Sequence, residues 1–214
     1  MYKIKSISSE LTERLNWLVC LGDLFSSYKK NKNDQFYAII KKTQIHNPWF
    51  SEKNINTSIN YWQSKLKLKN ISTWISTYEI IKTPPVKIGI VMAGNFPLAG
   101  LHDLICVIIS GNIALVKTSR SDKILMDYAI DYIWDKFPKS KHYIIKSEIL
   151  KKFDKVIATG SNNTFRYFEY YFKNKPAILR KSRTSVAILE NDTDKDSLRL
   201  LAKDIFTYLS LIHI

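Results

Sequence analysis

The sequence predicts an α/β fold, a doubly wound and mostly parallel sheet preceded by an N-terminal helical region. Three observations lead there. Apolar residues recur at helical spacing through the first eighty positions, and short β-branched runs alternate with helical stretches after residue 83. Between these two textures stands Thr83-Pro84-Pro85, a stiff hinge. The expected boundaries are therefore residues 1–82 for the helical region and 83–214 for the α/β domain.

The elements follow in order. Ser8 and Ser9 are placed to cap a helix carrying Leu11, Leu15, Leu18 and Val19. His46-Asn47-Pro48-Trp49-Phe50 interrupts the pattern, and a second helical region holds Ile59, Trp62, Leu66 and Leu68, then Ile71, Trp74, Ile75 and Tyr78. These faces carry no visible chemistry and read as packing. Beyond the hinge, residues 86–92 form a strand, Ala93-Gly94-Asn95-Phe96-Pro97 a turn, and a helix carries Leu98, Leu101, Ile105, Ile108 and Ile109 to Gly111-Asn112. A strand at 113–116 leads through Lys117-Thr118-Ser119-Arg120 into a helix with Leu125, Ala129 and Trp134, stopped by Pro138. Strands at 143–145 and 156–158 come next, the second leading through Thr159-Gly160-Ser161 into a helix holding Phe165, Phe168 and Phe172. A strand Val186-Ala187-Ile188-Leu189 and a helix from Asp196 complete the pattern. Parallel sheets of this kind bind ligands at the carboxyl ends of their strands, where three of these turns fall.

Composition narrows the function classes. The 214 residues include 33 basic and 19 acidic side chains, a formal charge of +14, with 45% hydrophobic and 24% charged residues. That balance excludes a disordered, collagen-like or low-complexity chain. Cys20 and Cys106 are too few for a disulfide framework or a cysteine-rich zinc site, and no metal site is expected. No apolar leader follows Met1-Tyr2-Lys3, so a cytoplasmic location is expected. Pro97, His102 and Asp103 interrupt the most apolar stretch, residues 88–116, and what remains is too short to span a bilayer. Of the basic residues 27 are Lys and 6 are Arg, scattered along the chain. The densest region, residues 136–155, lacks the interleaved stacking aromatics of a nucleic-acid module. A solvated surface with no nucleic-acid partner is the expectation, and a basic nucleic-acid-binding module is the rival from another class.

Each of the three turns has a plain and a chemical reading. Asn95 either caps the helix that Pro97 opens or projects its amide N–H as an oxyanion donor. Lys117-Thr118-Ser119-Arg120-Ser121-Asp122 either is an exposed loop with a Ser or Asp cap, or holds a phosphate or ribose at a helix N-terminus. Thr159-Gly160-Ser161-Asn162-Asn163 either is a capped turn, or lets a ligand approach the backbone at Gly160 with Ser161 offering its hydroxyl. The Gly-x-Gly-x-x-Gly dinucleotide fingerprint is absent.

In this order the segments Val91-Met92-Ala93-Gly94-Asn95-Phe96-Pro97, Leu115-Val116-Lys117-Thr118-Ser119-Arg120 and Ile157-Ala158-Thr159-Gly160-Ser161 resemble the aldehyde dehydrogenase superfamily. Within it the chain is most similar to the LuxC-type acyl-CoA reductases, over roughly residues 46–208. The resemblance implies an aldehyde-dehydrogenase-like fold whose residues 83–214 are an NAD(P)-binding α/β domain. It matches Asn95 to the oxyanion-hole asparagine and Lys117, with Thr118 beside it, to the lysine that holds the adenosine ribose. Gly160 and Ser161 match the turn beside the cofactor pyrophosphate, and Met92, Ala93 and Gly94 the backbone lining the cofactor cleft. It implies reduction of an acyl-CoA or acyl-protein thioester to an aldehyde through a cysteine acyl-enzyme, and a homo-oligomer at full length.

Two departures from the family pattern matter. NAD-preferring members carry a glutamate where this chain has Arg120; a guanidinium pairs with a 2′-phosphate that a carboxylate would repel, so NADPH is the expected cofactor. Aldehyde-oxidising relatives carry Glu-Leu-Gly-Gly near Leu179-Arg180-Lys181-Ser182-Arg183, and the glutamate that activates water is missing here. An ordinary NAD(P)-dependent aldehyde dehydrogenase is thereby the weaker alternative; Arg180 and Arg183 are candidates for coenzyme A phosphates. The family's nucleophilic cysteine is implied to lie shortly after a helix ending near Tyr208. Leu209-Ser210-Leu211-Ile212-His213-Ile214 stands there instead, so a C-terminal truncation that omits the catalytic cysteine is expected. Cys106, with no histidine paired to it at a useful spacing, reads as a buried core residue, and Cys20 likewise.

Overall fold

A computed structural model describes residues 9–28, 35–80 and 83–206. The helical region comprises α1 (Ser9–Ser27), α2 (Gln35–His46), α3 (Glu52–Lys65) and α4 (Leu68–Ile75). Of the predicted stripe on α1, Leu15 and Leu18 are buried and Leu11 and Val19 are partly buried against the same core, which Leu21 and Phe25 continue. Ser51 caps α3 by accepting the Asn54 N–H at 3.2 Å. Ser8, expected as a cap, lies outside the described residues, as do residues 207–214.

Five strands follow Pro85. They are β1 (Lys87–Val91), β2 (Ile113–Lys117), β3 (Ile144–Lys146), β4 (Lys155–Thr159) and β5 (Ala177–Arg180). Helices α5 (Leu101–Ile109), α6 (Lys123–Lys136) and α7 (Asn162–Phe172) connect them, and α8 (Lys195–Phe206) follows. The strand order is β3-β2-β1-β4-β5, every neighbouring pair parallel. The chain builds outward from β1 to β3 on one side and then returns to place β4 on the other. That reversal, between β1 and β4, is where open α/β sheets bind ligands.

The period of two along each strand sends side chains to two separate cores. Ile90, Met92, Ala114, Val116, Ile144 and Ile157 join the helices of residues 9–75 together with α5 and α6 in one continuous core. Val156, Ala158 and Phe168 form a smaller one on the other face, against Val91, Leu150, Phe153, Phe172 and Leu179. Buried Arg14 reaches from α1 to the end of α5, donating from Nη1 to the Ile108 carbonyl at 2.9 Å while lying over the Tyr143 ring. Helix α5 ends where the sequence predicts. Gly111, at φ +86°, donates to Ile108 O and Asn112 to Val107 O, the paired bonds of a Schellman ending.

Two expectations are corrected. Val186-Ala187-Ile188-Leu189 forms no strand, and Val186 and Ile188 are each 93% exposed. The fifth strand is β5, nine residues earlier, and it pairs Ala177 with Val156 through Arg180 with Thr159. The helix expected from Pro97 starts only at Leu101, with Gly100 as its N-cap residue, because Leu98 takes a left-handed φ of +60° and breaks any helical turn there.

Candidate functional site

The register sets the three turns on one rim. Val91 lies beside both Lys117 and Ala158, so the chain leaves β1, β2 and β4 at neighbouring points on the same carboxyl edge. Met92, Ala93 and Gly94 continue β1 down the middle of that edge. The Met92 N–H donates to Lys117 O at 3.0 Å, extending the pairing one step past the strand. Lys117, Thr118 and Arg120 stand on one side, Gly160 and Ser161 on the other. The sequence-derived residues are therefore brought together.

The β1–α5 and β2–α6 loops are pressed against each other. A Cβ on Gly94 would sit 2.0 Å from Ser119 Oγ, so only glycine fits there. Asp122, 1% exposed, accepts the Leu98 N–H at 2.7 Å through Oδ2. Its Oδ1 is buried with no partner among the described residues. Burial pushes this carboxyl well above the ordinary carboxylate range; the Leu98 N–H pulls it down, and neighbouring Asp127 adds to the rise. Asp122 thus braces the other loop instead of capping its own helix. From α2 and the turn after it, His46 Nε2 meets Arg120 O at 3.0 Å and Asn47 Nδ2 donates to Ser121 O at 3.1 Å, buttressing the cation-bearing loop.

Asn95 is exposed at the rim and does not cap α5, whose N-cap residue is Gly100. Ser161 does cap α7: its Oγ accepts the Thr164 N–H at 3.3 Å and meets Thr164 Oγ1 at 3.0 Å. The hydroxyl expected for a ligand is thus committed to the helix. What remains there for an anion is the positive end of α7. Gly160 donates its N–H to Arg180 O and closes the β4–β5 edge.

Lys117 and Arg120 are exposed cations on the rim. A carboxylate that the sequence reading missed joins them, Glu148 from the loop after β3. It is held below the ordinary carboxylate range first by a hydrogen bond from Lys123, at 2.7 Å, and then by the charges of Lys123, Lys117 and Arg120. Lys123 is paired with both Glu148, at 2.7 Å, and Asp127, at 3.3 Å, which leaves Lys117 and Arg120 as the exposed cations of this side of the rim.

A second cluster lies on α5 and was also missed. Asp103, its side chain 7% exposed, receives Arg180 Nη1 at 2.6 Å and 2.8 Å on its two oxygens. Arg180 is thereby engaged within the protein, not free for coenzyme A. His102 Nδ1 lies 3.9 Å from Asp103 Oδ1, and its two ring nitrogens lie 3.8 Å and 3.9 Å from Cys106 Sγ. Asp103, then Cys106, push the His102 imidazole up to about 10 against its partial burial. The expectation that Cys106 has no paired histidine is corrected: one helical turn separates them, a spacing visible in the sequence, and the thiol is only half-buried. Alongside runs an open groove of about 290 Å³, lined by Ser58, Tyr61 and Trp62 of α3 and by Phe96, Ala99 and His102. Among the described residues there is no helix long and apolar enough to cross a membrane, and no cluster of three metal-ligating side chains.

Comparisons agree with this architecture. The family model described as acyl-CoA reductase (LuxC) matches residues 76–209. No curated protein matches the sequence. Among solved structures, an aldehyde dehydrogenase from Bartonella henselae superposes with a TM-score of 0.69 at 13% identity, over 97% of this chain and 46% of its own. The NAD+ complex of aldehyde dehydrogenase from Bacillus cereus gives 0.66 at 16% identity, over 94% of this chain and 45% of its own. Glyceraldehyde-3-phosphate dehydrogenase GapN from Methanocaldococcus jannaschii, complexed with NADP, gives 0.59 at 14% identity, over 80% and 41%. The chain thus has an aldehyde-dehydrogenase-like fold and spans less than half the length of these relatives.

Proposed function

Since the chain belongs to the acyl-CoA reductase (LuxC) family, we propose that its rim holds NADPH and serves the reduction of an acyl thioester, on coenzyme A or a carrier protein, to an aldehyde. The observation that carries this is the convergence of three loops at the reversal of strand order, with cations on one side and a helix N-terminus on the other. Lys117 and Thr118 hold the adenosine ribose, and Arg120 pairs with its 2′-phosphate. The pyrophosphate lies against the Gly160-Ser161 turn and the positive end of α7, and Met92, Ala93 and Gly94 line the cleft. When bound, the cofactor supplies hydride.

The chain's own residues handle charge and position. Asn95 donates from Nδ2 to the thioester oxygen as negative charge gathers there; removing such a donor costs about 10²–10³ in rate. The groove from Phe96 to His102 takes the acyl group. Leu179-Arg180-Lys181-Ser182-Arg183, near where aldehyde-oxidising relatives carry a water-activating glutamate, has no carboxylate, and Arg180 is held by Asp103. Neither Cys20, on α1, nor Cys106, on α5, belongs to the rim. The attacking thiol is expected from the half of the relatives' length that this chain does not span.

The test is a fluorescence titration of the chain with NADPH and NADH. NADPH is expected to bind more tightly, and Arg120→Glu to weaken NADPH by at least about tenfold while leaving NADH nearly unchanged. Equal losses for the two would remove the 2′-phosphate assignment, and no binding of either would remove the function.

A further inference from the structure

Along the groove, Phe96, Ala99 and His102 follow one another at three-residue intervals, starting next to Asn95. Across from them stand Tyr61 and Trp62, packed edge to face with ring centres 5.2 Å apart. Trp74 of α4 comes within 6.1 Å of the His102 ring. The walls are therefore almost wholly apolar and aromatic. His102 is the one cation lining the groove among the described residues, and its side chain is 57% exposed.

The charge at His102 is a surplus. Asp103 is its nearest carboxylate, at 3.9 Å, which is an ion-pair distance and not a hydrogen bond. Both Asp103 oxygens are already engaged by Arg180 at 2.6 Å and 2.8 Å. One carboxylate thus serves two cations, and the group left without a full counter-charge is the one facing the groove. Asp103 first, then Cys106, favour the protonated form of the imidazole. An aromatic trough with an imidazolium at one end complements an amphipathic anion: an apolar body with a negative group at its tip. A neutral chain of the same length would leave the imidazolium against hydrocarbon. The groove's volume of about 290 Å³ lies at the lower end of the roughly 300–1,000 Å³ of small-molecule sites, the scale of one acyl chain.

We infer that this groove selects acyl groups of medium length that end in a carboxylate, the thioester end lying at Asn95 and the far end meeting His102. The inference rests on the proposed function for the orientation of the ligand, but not for the charge selectivity itself. His102 is then a specificity residue: its ring N–H donates to the terminal carboxylate.

The probes are monomethyl octanedioate, which has one carboxylate, and dimethyl octanedioate, which has none. Calorimetric titration of the chain at neutral pH is expected to give at least about tenfold tighter binding of the monoester, the worth of one charge-assisted hydrogen bond. His102→Gln should abolish that preference, and His102→Lys should retain it. Equal affinity of the two esters for the wild-type chain, or a preference that survives His102→Gln, would overturn the inference. A parallel NADPH titration on the same samples separates the two claims. Cofactor binding without ester preference defeats the groove alone; ester preference without cofactor binding defeats the proposed function and leaves the groove's selectivity standing.

Discussion

Leu98 holds a φ of +60°, which costs a side chain with a Cβ about 1–2 kcal/mol, and the Asp122 carboxyl fixes it there by accepting its N–H at 2.7 Å. The same group is buried with its second oxygen unpartnered, so its charged form is disfavoured. Between the ordinary carboxylate value of 3.8 and its raised value in the fold, the folded protein binds more protons than the unfolded chain. Stability therefore falls as pH climbs through that window. Asp122→Asn keeps an acceptor for Leu98 and has no proton to lose. Urea denaturation near pH 4 and near pH 8 is expected to show the variant gaining on the wild type at the higher pH. Parallel losses in the two proteins would refute the buried carboxyl as the cause. None of this was legible in the sequence. Asp122 stood at the right place for an ordinary N-cap, and only its burial against a loop 24 residues away changes its role.

The two loops that Asp122 joins are also in contact at Gly94 and Ser119. Gly94→Ala would put a Cβ 2.0 Å from Ser119 Oγ and 2.4 Å from Ser119 Cβ, and overpacking of this kind costs about 1–3 kcal/mol. Ser119→Gly removes both opposing atoms, so the double variant is expected to recover most of the loss in a thermal-denaturation cycle; strictly additive losses would show the loops to be independent. At this scale much could be read in advance. The runs around Ile88-Gly89-Ile90 and Ile157-Ala158 are β-branched, short and bounded by turns, and each opens onto a turn that the sheet carries to the rim. The fifth strand was misplaced for a physical reason. Val186-Ala187-Ile188-Leu189 has the stronger strand composition, but a strand needs a neighbour, and β4 offers its edge to Ala177-Ile178-Leu179-Arg180. Pairing of this kind is non-local. So are the approach of Glu148 to Lys117 and that of Arg180 to Asp103 across 77 residues, and no spacing rule reaches them.

Over the whole molecule, the larger core takes in the helical region, α5, α6 and one face of the sheet, while the smaller one lies beneath α7 on the other face. β5 is the edge of the sheet on the smaller core's side, and its first two residues, Ala177 and Ile178, are exposed. The Arg180–Asp103 pair ties this edge to α5, whose apolar residues are buried in the larger core. Removing Arg180 takes the hydrogen-bonding partner from the more deeply buried Asp103 and leaves it His102 alone, 3.9 Å away. Arg180→Met keeps the aliphatic stem and is expected to cost less than the roughly 3–5 kcal/mol of a fully stranded buried charge, because His102 remains and the Arg180 side chain is 34% exposed. If the pair is what secures the edge, the loss is local before it is global. Hydrogen exchange at residues 177–180 should then accelerate in Arg180→Met by at least about tenfold more than in β1 and β2, which are flanked on both sides. Uniform acceleration across the five strands would mean that the sheet opens as one unit and that the pair adds stability without holding β5 in particular.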